Sequence, residues 1–338
     1  MKQVVVSRAG PSEVMDIREV SDPVLRNGEV RIRVEACGVT FRDLLGRMGL
    51  DEDVPLMPFV PGWEVSGRIE AISQGVTDLQ EGDNVIALTH FGGYSNQVCV
   101  PYQQVFRRFD WMTAEDGAAL PVSYLMAYLM LVVMGSVQPG DRVLVHGAGG
   151  GIGLAVLDLC KILGVEVLGT ASPEKHEALR EHGLPHPIDY RHMDYEQVVN
   201  DLTGGRGVHL VLDALGGRHW QKNYRLLTPT GRLIYFGLNS MAPGPTRSRW
   251  AWWRGLVTVP FYTPTRLMAD NHGVMGLNLS SLLAANGLQK RWMRQLLSWY
   301  DEALFRPTID RTFTLQQAAE AHDYLQARRN IGKVLLIP

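Results

Sequence analysis

Residues 140–153 read Gly-Asp-Arg-Val-Leu-Val-His-Gly-Ala-Gly-Gly-Gly-Ile-Gly, and no other stretch restricts the fold as tightly. Arg142 to His146 is a short apolar run of the kind that forms a buried parallel strand. The residues after it are almost all glycine, and Leu154 to Leu163 then carries apolar side chains at helical spacing. Strand, glycine turn and helix, in that order, are the context a dinucleotide fingerprint requires. The pattern is Ala148-x-Gly150-x-x-Gly153, with alanine where the first glycine is usual. Ala148 and Gly149 are expected to keep the turn tight. Gly150 and Gly151 leave no side chain to hold a pyrophosphate off the backbone, and Gly153 lets the helix close onto the strand. The N–H groups of the first helical turn, around Ile152, then face the phosphates. The alternative is a glycine-rich loop that only turns the chain.

At 338 residues the chain is long enough for two domains. Its 46% hydrophobic and 20% charged residues are ordinary for a globular enzyme. A net charge of −2 and the lack of a basic stripe give a nucleic-acid partner no support. Cys37, Cys99 and Cys160 are scattered and odd in number, which argues against a disulfide framework and for a reducing compartment, the cytoplasm. The apolar run at the N-terminus is too short for a signal peptide. The longest uncharged apolar run, Leu120 to Met134, falls short of the roughly 18–20 residues that span a bilayer, so a buried helix is expected there.

Up to about residue 120 the pattern is β-rich. Strands are expected at Gln3–Ser7, Val30–Glu35, Glu64–Ile72 and Asn84–Leu88, between turn signals such as Asn27-Gly28. Their spacing suggests a small antiparallel barrel. A helical stretch opens at Trp111–Ala119. From Asp141 strands and helices alternate, with strands predicted at 142–146, 165–170, 208–213, 231–236 and 273–277. The helices between them include Pro173–Glu181, Tyr195–Leu202 and Trp220–Leu227, which makes a doubly wound parallel sheet. Beyond about residue 285, Arg291–Glu302 is amphipathic. Thr314–Arg328 opens with Thr314 and Gln317 in a capping box, and Ile331–Ile337 closes as a strand. The tail is expected to rejoin the first domain. The expected division is a catalytic domain of 1–122 and 285–338 around an inserted dinucleotide domain of 123–284.

The chain resembles the medium-chain dehydrogenase/reductase superfamily, within it the zinc-free quinone oxidoreductases, and most of all their vesicle amine transport protein branch. The resemblance runs over nearly the whole length. It is carried by Ala36-Cys-Gly-Val-Thr-Phe-Arg-Asp43, Pro61-Gly-Trp-Glu64, Val143 to Gly153, Gly169-Thr-Ala-Ser172 and Lys175-His-Glu-Ala-Leu179. Further along come His186-Pro-Ile-Asp-Tyr190, Asp213-Ala-Leu-Gly-Gly217 and Asn330-Ile-Gly-Lys-Val-Leu-Leu336. It implies an α/β fold: a GroES-like β-barrel catalytic domain with an inserted Rossmann domain. Enoyl reductase domains of polyketide synthases share Thr40-Phe-Arg-Asp43, so an enoyl-thioester acceptor stays open.

Zinc members of the superfamily hold the metal with a Cys and a His where this chain has Thr40 and Trp63, and neither is a plausible Zn²⁺ ligand. His176, His182 and His186 lie on or beside a predicted surface helix and read as solvated. No metal is expected. The strand at 165–170 ends in Thr170-Ala171-Ser172 with no acid before Glu174, which suits a 2′-phosphate held by Ser172 and Lys175 and so favours NADPH. A solvated helix lysine is the competing reading of Lys175. The resemblance adds Tyr190 near that phosphate, and Phe236, Gly237, Asn239, Asn330 and Lys333 near the cofactor.

Hydride transfer without a metal needs an acceptor already polarised, a quinone or an α,β-unsaturated carbonyl. The resemblance puts Thr40 and Met126 beside the nicotinamide, where asparagine and threonine are usual. Thr40 keeps a hydroxyl donor; Met126 loses one. Trp63 either walls the substrate pocket or is a barrel-core tryptophan. Both departures leave room for a dinucleotide- or lipid-binding protein with little turnover. Arg247–Phe261, rich in Trp and Arg, suits a lid, a subunit contact or a membrane surface. A strand at 273–277 on the sheet edge could pair across a two-fold axis, making a homodimer.

Overall fold

The computed structural model describes residues 1–239, 259–283 and 288–338. Residues 247–258 of the Arg/Trp-rich segment lie outside the described residues, and its three readings with them. The chain divides into two compact units, one of Met1–Leu125 and Leu279–Pro338, the other running between Met126 and Asn278.

The first unit opens with an antiparallel pair, β1 (Lys2–Val6) and β2 (Met15–Glu19). Its main sheet then takes β3 (Glu29–Val39), β4 (Glu64–Ile72), β5 (Asn84–Leu88), β6 (Gln97–Pro101) and β7 (Val105–Arg107). In β3 the residues Val30, Ile32, Val34 and Ala36 point to one buried face, the period-two signature of a strand with one side on a core. The bounds of β4 and β5 are those the alternation predicts. Strands β2, β6 and β7 escaped the pattern because β2 is mostly exposed, β6 ends in proline and β7 has three residues. The run Leu120–Met134 is a largely buried helix, Pro121–Tyr128, continuing as a π-helix over Leu129–Met134. The helical stretch expected from Trp111 starts later, at Ala114, where the Thr113 hydroxyl accepts from Asp116 N–H.

In the second unit six strands lie parallel: β8 (Arg142–His146), β9 (Glu166–Ala171), β10 (Pro187–Asp189), β11 (Val208–Asp213), β12 (Leu227–Tyr235) and β13 (Gly273–Gly276). Their spatial order is β10-β9-β8-β11-β12-β13, every adjacent pair parallel. Counted from β8 this is 3-2-1-4-5-6, the doubly wound order whose connections reverse between β8 and β11. Leu144, Leu168, Val211 and Leu233 pack one shared core on these strands. The helix Gly151–Leu163 buries seven residues and ends on Gly164 at φ 67°.

After the helix Leu288–Asp301 the tail adds β14 (Ile309–Thr314) and β15 (Lys333–Ile337) to the first unit's sheet. The capping box forms as expected, with Thr314 N–H donating to Gln317 Oε1 over 3.1 Å. The sheet is not wholly antiparallel: β15 is antiparallel to β3 but parallel to β14. The cause is the helix Ala318–Gln326 between them, a crossover that returns the chain in the same direction. No described helix is long and apolar enough to cross a membrane.

Candidate functional site

The glycine turn between β8 and the helix Gly151–Leu163 has the geometry of a phosphate cradle. Gly147 takes φ 74°, and both its N–H and that of Ala148 donate to Thr170 O, at 3.1 and 3.0 Å. The left-handed residue therefore stands one place before the motif, which is why alanine is accepted at 148: Ala148 has an ordinary φ and is fully buried. Tightness at the turn belongs to Gly147 rather than to Ala148 and Gly149. A Cβ on Gly153 would strike Gly147 O and lie 2.5 Å from Ala148 O, so that position requires glycine for closure. A Cβ on Gly150 would meet only Gly147 O, at an ordinary 3.5 Å. Space stands open above Gly150, as an incoming pyrophosphate needs. The first bond within the helix runs from Leu154 N to Gly150 O, leaving the N–H groups of Gly151, Ile152 and Gly153 without an intrahelical acceptor. Cradle and donors fit a dinucleotide pyrophosphate.

Beside the cradle, the tips of β9 and β10 come level, because Asp189 pairs with Ala171. That register sets Tyr190 next to Ser172. Lys175 is buried, with 9% of its surface exposed, which removes the solvated-lysine reading. A Cβ on Gly149 would fall 2.7 Å from Lys175 Cδ, so the lysine stem lies across the glycine turn. Arg191, which sequence reasoning passed over, adds a second cation: it hydrogen-bonds the Tyr190 side chain and pairs with Glu174 at 2.6 Å. Its only signal in sequence was its position after Tyr190.

On the other side of the sheet reversal, Asp213 ends β11 and its Oδ1 accepts from Leu215 and Gly216 N–H at 2.6 and 3.1 Å. Phe236 N and Asn239 N donate to Asp213 O and Ala214 O, both at 3.0 Å, and Gly237 passes so close that a Cβ would lie 2.9 Å from Ala214 O. Two strand-end loops are thus stitched together where β11 and β12 end. His146, at the end of β8, bonds Thr170 Oγ1 at 3.0 Å and Asn223 Oδ1 at 2.9 Å; burial lowers its pKa and keeps the ring neutral.

The first unit carries a buried polar cluster. Thr40 caps the helix Phe41–Arg47, and its N–H and hydroxyl both donate to Asp43 Oδ2, at 2.8 and 2.6 Å. The Thr40 proton is therefore committed to Asp43, and the hydroxyl can offer an incoming group only a lone pair. This corrects the expectation of a donor at that position. Asp43 also accepts from Gly62 N–H at 2.8 Å, yet burial pushes its carboxyl up to about 6. Glu64 is fully buried: one carboxylate oxygen pairs with Lys333 Nζ, the other accepts from Val122 N–H at 2.7 Å. Lys333, carried over as a cofactor neighbour, is instead the counterion of Glu64. Burial, reinforced by Asp43 and Glu64, pushes the Cys37 thiol well up, so it is held as a neutral thiol.

Trp63 is 2% exposed, the core alternative rather than an open pocket wall. His90 and Phe91 pack on it at 4.7 and 5.1 Å between ring centroids, and the Arg42 guanidinium stands 4.1 Å over its ring. Met126 is buried in the helix Pro121–Tyr128, and Asn330 donates to Gly332 O at 2.7 Å in the turn before β15. His182 pairs with Asp158 at 2.9 Å. Among the described residues no three His, Cys, Asp or Glu side chains are grouped to hold a metal ion.

Two family models match, the alcohol dehydrogenase GroES-like domain over residues 26–110 and the zinc-binding dehydrogenase over residues 182–336. The rat (Rattus norvegicus) synaptic vesicle membrane protein VAT-1 homolog is 39% identical over 326 residues, 95% of this chain and 80% of that protein. The chain belongs to the medium-chain dehydrogenase/reductase superfamily, in its quinone oxidoreductase-like, VAT-1-homologous family. Human (Homo sapiens) quinone oxidoreductase is 28% identical over 341 residues, 100% of this chain and 98% of the other. A solved mycobacterial structure complexed with NADPH aligns with a TM-score of 0.87 and 28% identity, covering 100% of both chains. The zinc-named model starts at residue 182, beyond both Thr40 and Trp63.

Proposed function

We propose that this family member is a zinc-independent, NADPH-dependent reductase that passes a hydride directly to quinones or α,β-unsaturated carbonyls. The observation that carries the reading is Lys175, buried and laid across the phosphate turn beside Ser172 and Tyr190. The backbone N–H groups of Gly151 to Gly153 hold the pyrophosphate, and Lys175 with Ser172 and Tyr190 takes the 2′-phosphate. When bound, NADPH supplies the hydride. Thr40 and Trp63 stand where zinc ligands would, so no Lewis acid polarises the acceptor, and the acceptor must carry its own activation. That restricts the substrates to small hydrophobic quinones and enones. Thiols in a reducing cytoplasm remain free, as Cys37, Cys99 and Cys160 are. The subunit pairs as a homodimer through β13, the end strand of its sheet.

A second reading, a dinucleotide-binding protein with little turnover, is favoured by the Thr40 proton being committed to Asp43. One assay separates the two. Purified protein is given NADPH and a panel of quinones and enones, with and without a strong zinc chelator. The expected result is NADPH oxidation with at least one acceptor at a rate the chelator leaves unchanged. Loss of turnover on chelation contradicts zinc independence, and NADPH binding without oxidation of any acceptor favours the second reading.

A further inference from the structure

We propose that Glu174 is a built-in rival for the 2′-phosphate subsite and sets the chain's preference between NADPH and NADH. The proposal rests on the NADPH reading above and adds a determinant to it. Two donors that a 2′-phosphate would use are turned onto one carboxylate. Arg191 Nη1 donates to Glu174 Oε1 at 2.6 Å, and the Ser172 hydroxyl donates to the same side chain. Both lie at the tips of β9 and β10, where the ribose 2′ position of a dinucleotide is read. Tyr190, bonded to Arg191, and buried Lys175 complete the surroundings.

Glu174 is itself exposed, with 66% of its side chain accessible, and Arg191 is 43% accessible. An exposed pair of this kind is weak and exchanges readily. Hydrogen bonds from its own backbone N–H and from Ser172, with Arg191 alongside, hold its carboxyl below the usual range, so it is an anion at neutral pH. An arriving 2′-phosphate brings more charge and three acceptor oxygens, and can take Arg191 in a two-pronged grip. To do so it must displace the carboxylate and then tolerate it nearby. A 2′-hydroxyl faces no such repulsion. The carboxylate therefore taxes NADPH selectively, while Arg191, once released, supports it.

The test is direct titration of the whole protein with NADPH and with NADH, for wild type, Glu174→Gln, Arg191→Ala and the double variant. Glutamine keeps the size of the side chain and one acceptor oxygen, replaces the other with an amide donor, and removes the charge. Glu174→Gln is expected to tighten NADPH about fivefold while changing NADH less than about twofold, and Arg191→Ala to weaken NADPH by a similar factor. The double variant is expected to keep only the part of the Glu174→Gln gain that comes from relieving the repulsion, and to lose the part that comes from freeing Arg191. A Glu174→Gln protein whose NADPH-to-NADH affinity ratio matches wild type overturns the proposal and leaves the NADPH reading standing. Wild type with no affinity for NADPH overturns the reading itself.

Discussion

Gly153→Val is expected to weaken NADPH binding by at least about 100-fold, the equivalent of roughly 3 kcal/mol. A side chain there meets Gly147 O and Ala148 O, which are backbone atoms of the turn itself. They cannot yield without opening the turn that Thr170 O holds through both N–H groups. The helix N-terminus then moves away from the phosphates it should bind. Overpacking of this kind also costs about 1–3 kcal/mol of stability, so the variant must be judged against a control. Gly150→Ala is that control: its Cβ enters open space, so thermal stability should hold while the methyl group obstructs the pyrophosphate. Calorimetric titration of both variants checks the pair. NADPH affinity in Gly153→Val equal to wild type would place the nucleotide somewhere other than this turn.

The second large effect lies in the first unit. Glu64→Ala should destabilise the protein by about 3–5 kcal/mol, because it leaves the Lys333 ammonium buried without a counterion. It also orphans Val122 N–H, whose acceptor is the other carboxylate oxygen. The pair ties β4, β15 and the start of the helix Pro121–Tyr128 into one network, so the loss is felt across the unit. A fall in melting temperature on the order of 10 °C is expected. Adding Lys333→Met to Glu64→Ala removes the stranded charge and should restore part of the loss, a coupling a double-mutant cycle measures. A change below about 1 kcal/mol in Glu64→Ala would mean that Lys333 reaches water by rearranging.

The strand, turn and helix at 142–163 were legible because local pattern and tertiary role agree there: the same glycines that break periodicity also permit the close approach. Alternation likewise located β4 and β5. What the sequence hid was of two kinds. Conformation one residue outside the motif was invisible, so the turn was credited to Ala148 and Gly149 when Gly147 holds the left-handed φ. Partners distant in the chain were invisible too. Lys333 bonds Glu64 across 269 positions, and nothing in the tail announces it. Thr40 looked like a free donor because a hydroxyl in sequence does not say where its proton points; the capping box with Asp43 answers that. Arg191 was overlooked because its role comes from register, the levelling of β9 and β10, which periodicity alone does not give. Trp63 read equally as wall or core, and the rings of His90 and Phe91 with Arg42 above place it in the core.

The account stands on the cradle at Gly147–Gly153 and the buried lysine across it receiving a 2′-phosphorylated nicotinamide nucleotide. Equilibrium titration of the wild-type protein with NADPH and NADH, side by side, measures that claim most directly. Binding of NADPH at least about tenfold tighter than NADH is the predicted result, the factor one added charge-assisted contact of about 1.4 kcal/mol supplies. Equal affinity for the two nucleotides, or tighter binding of NADH, would contradict it.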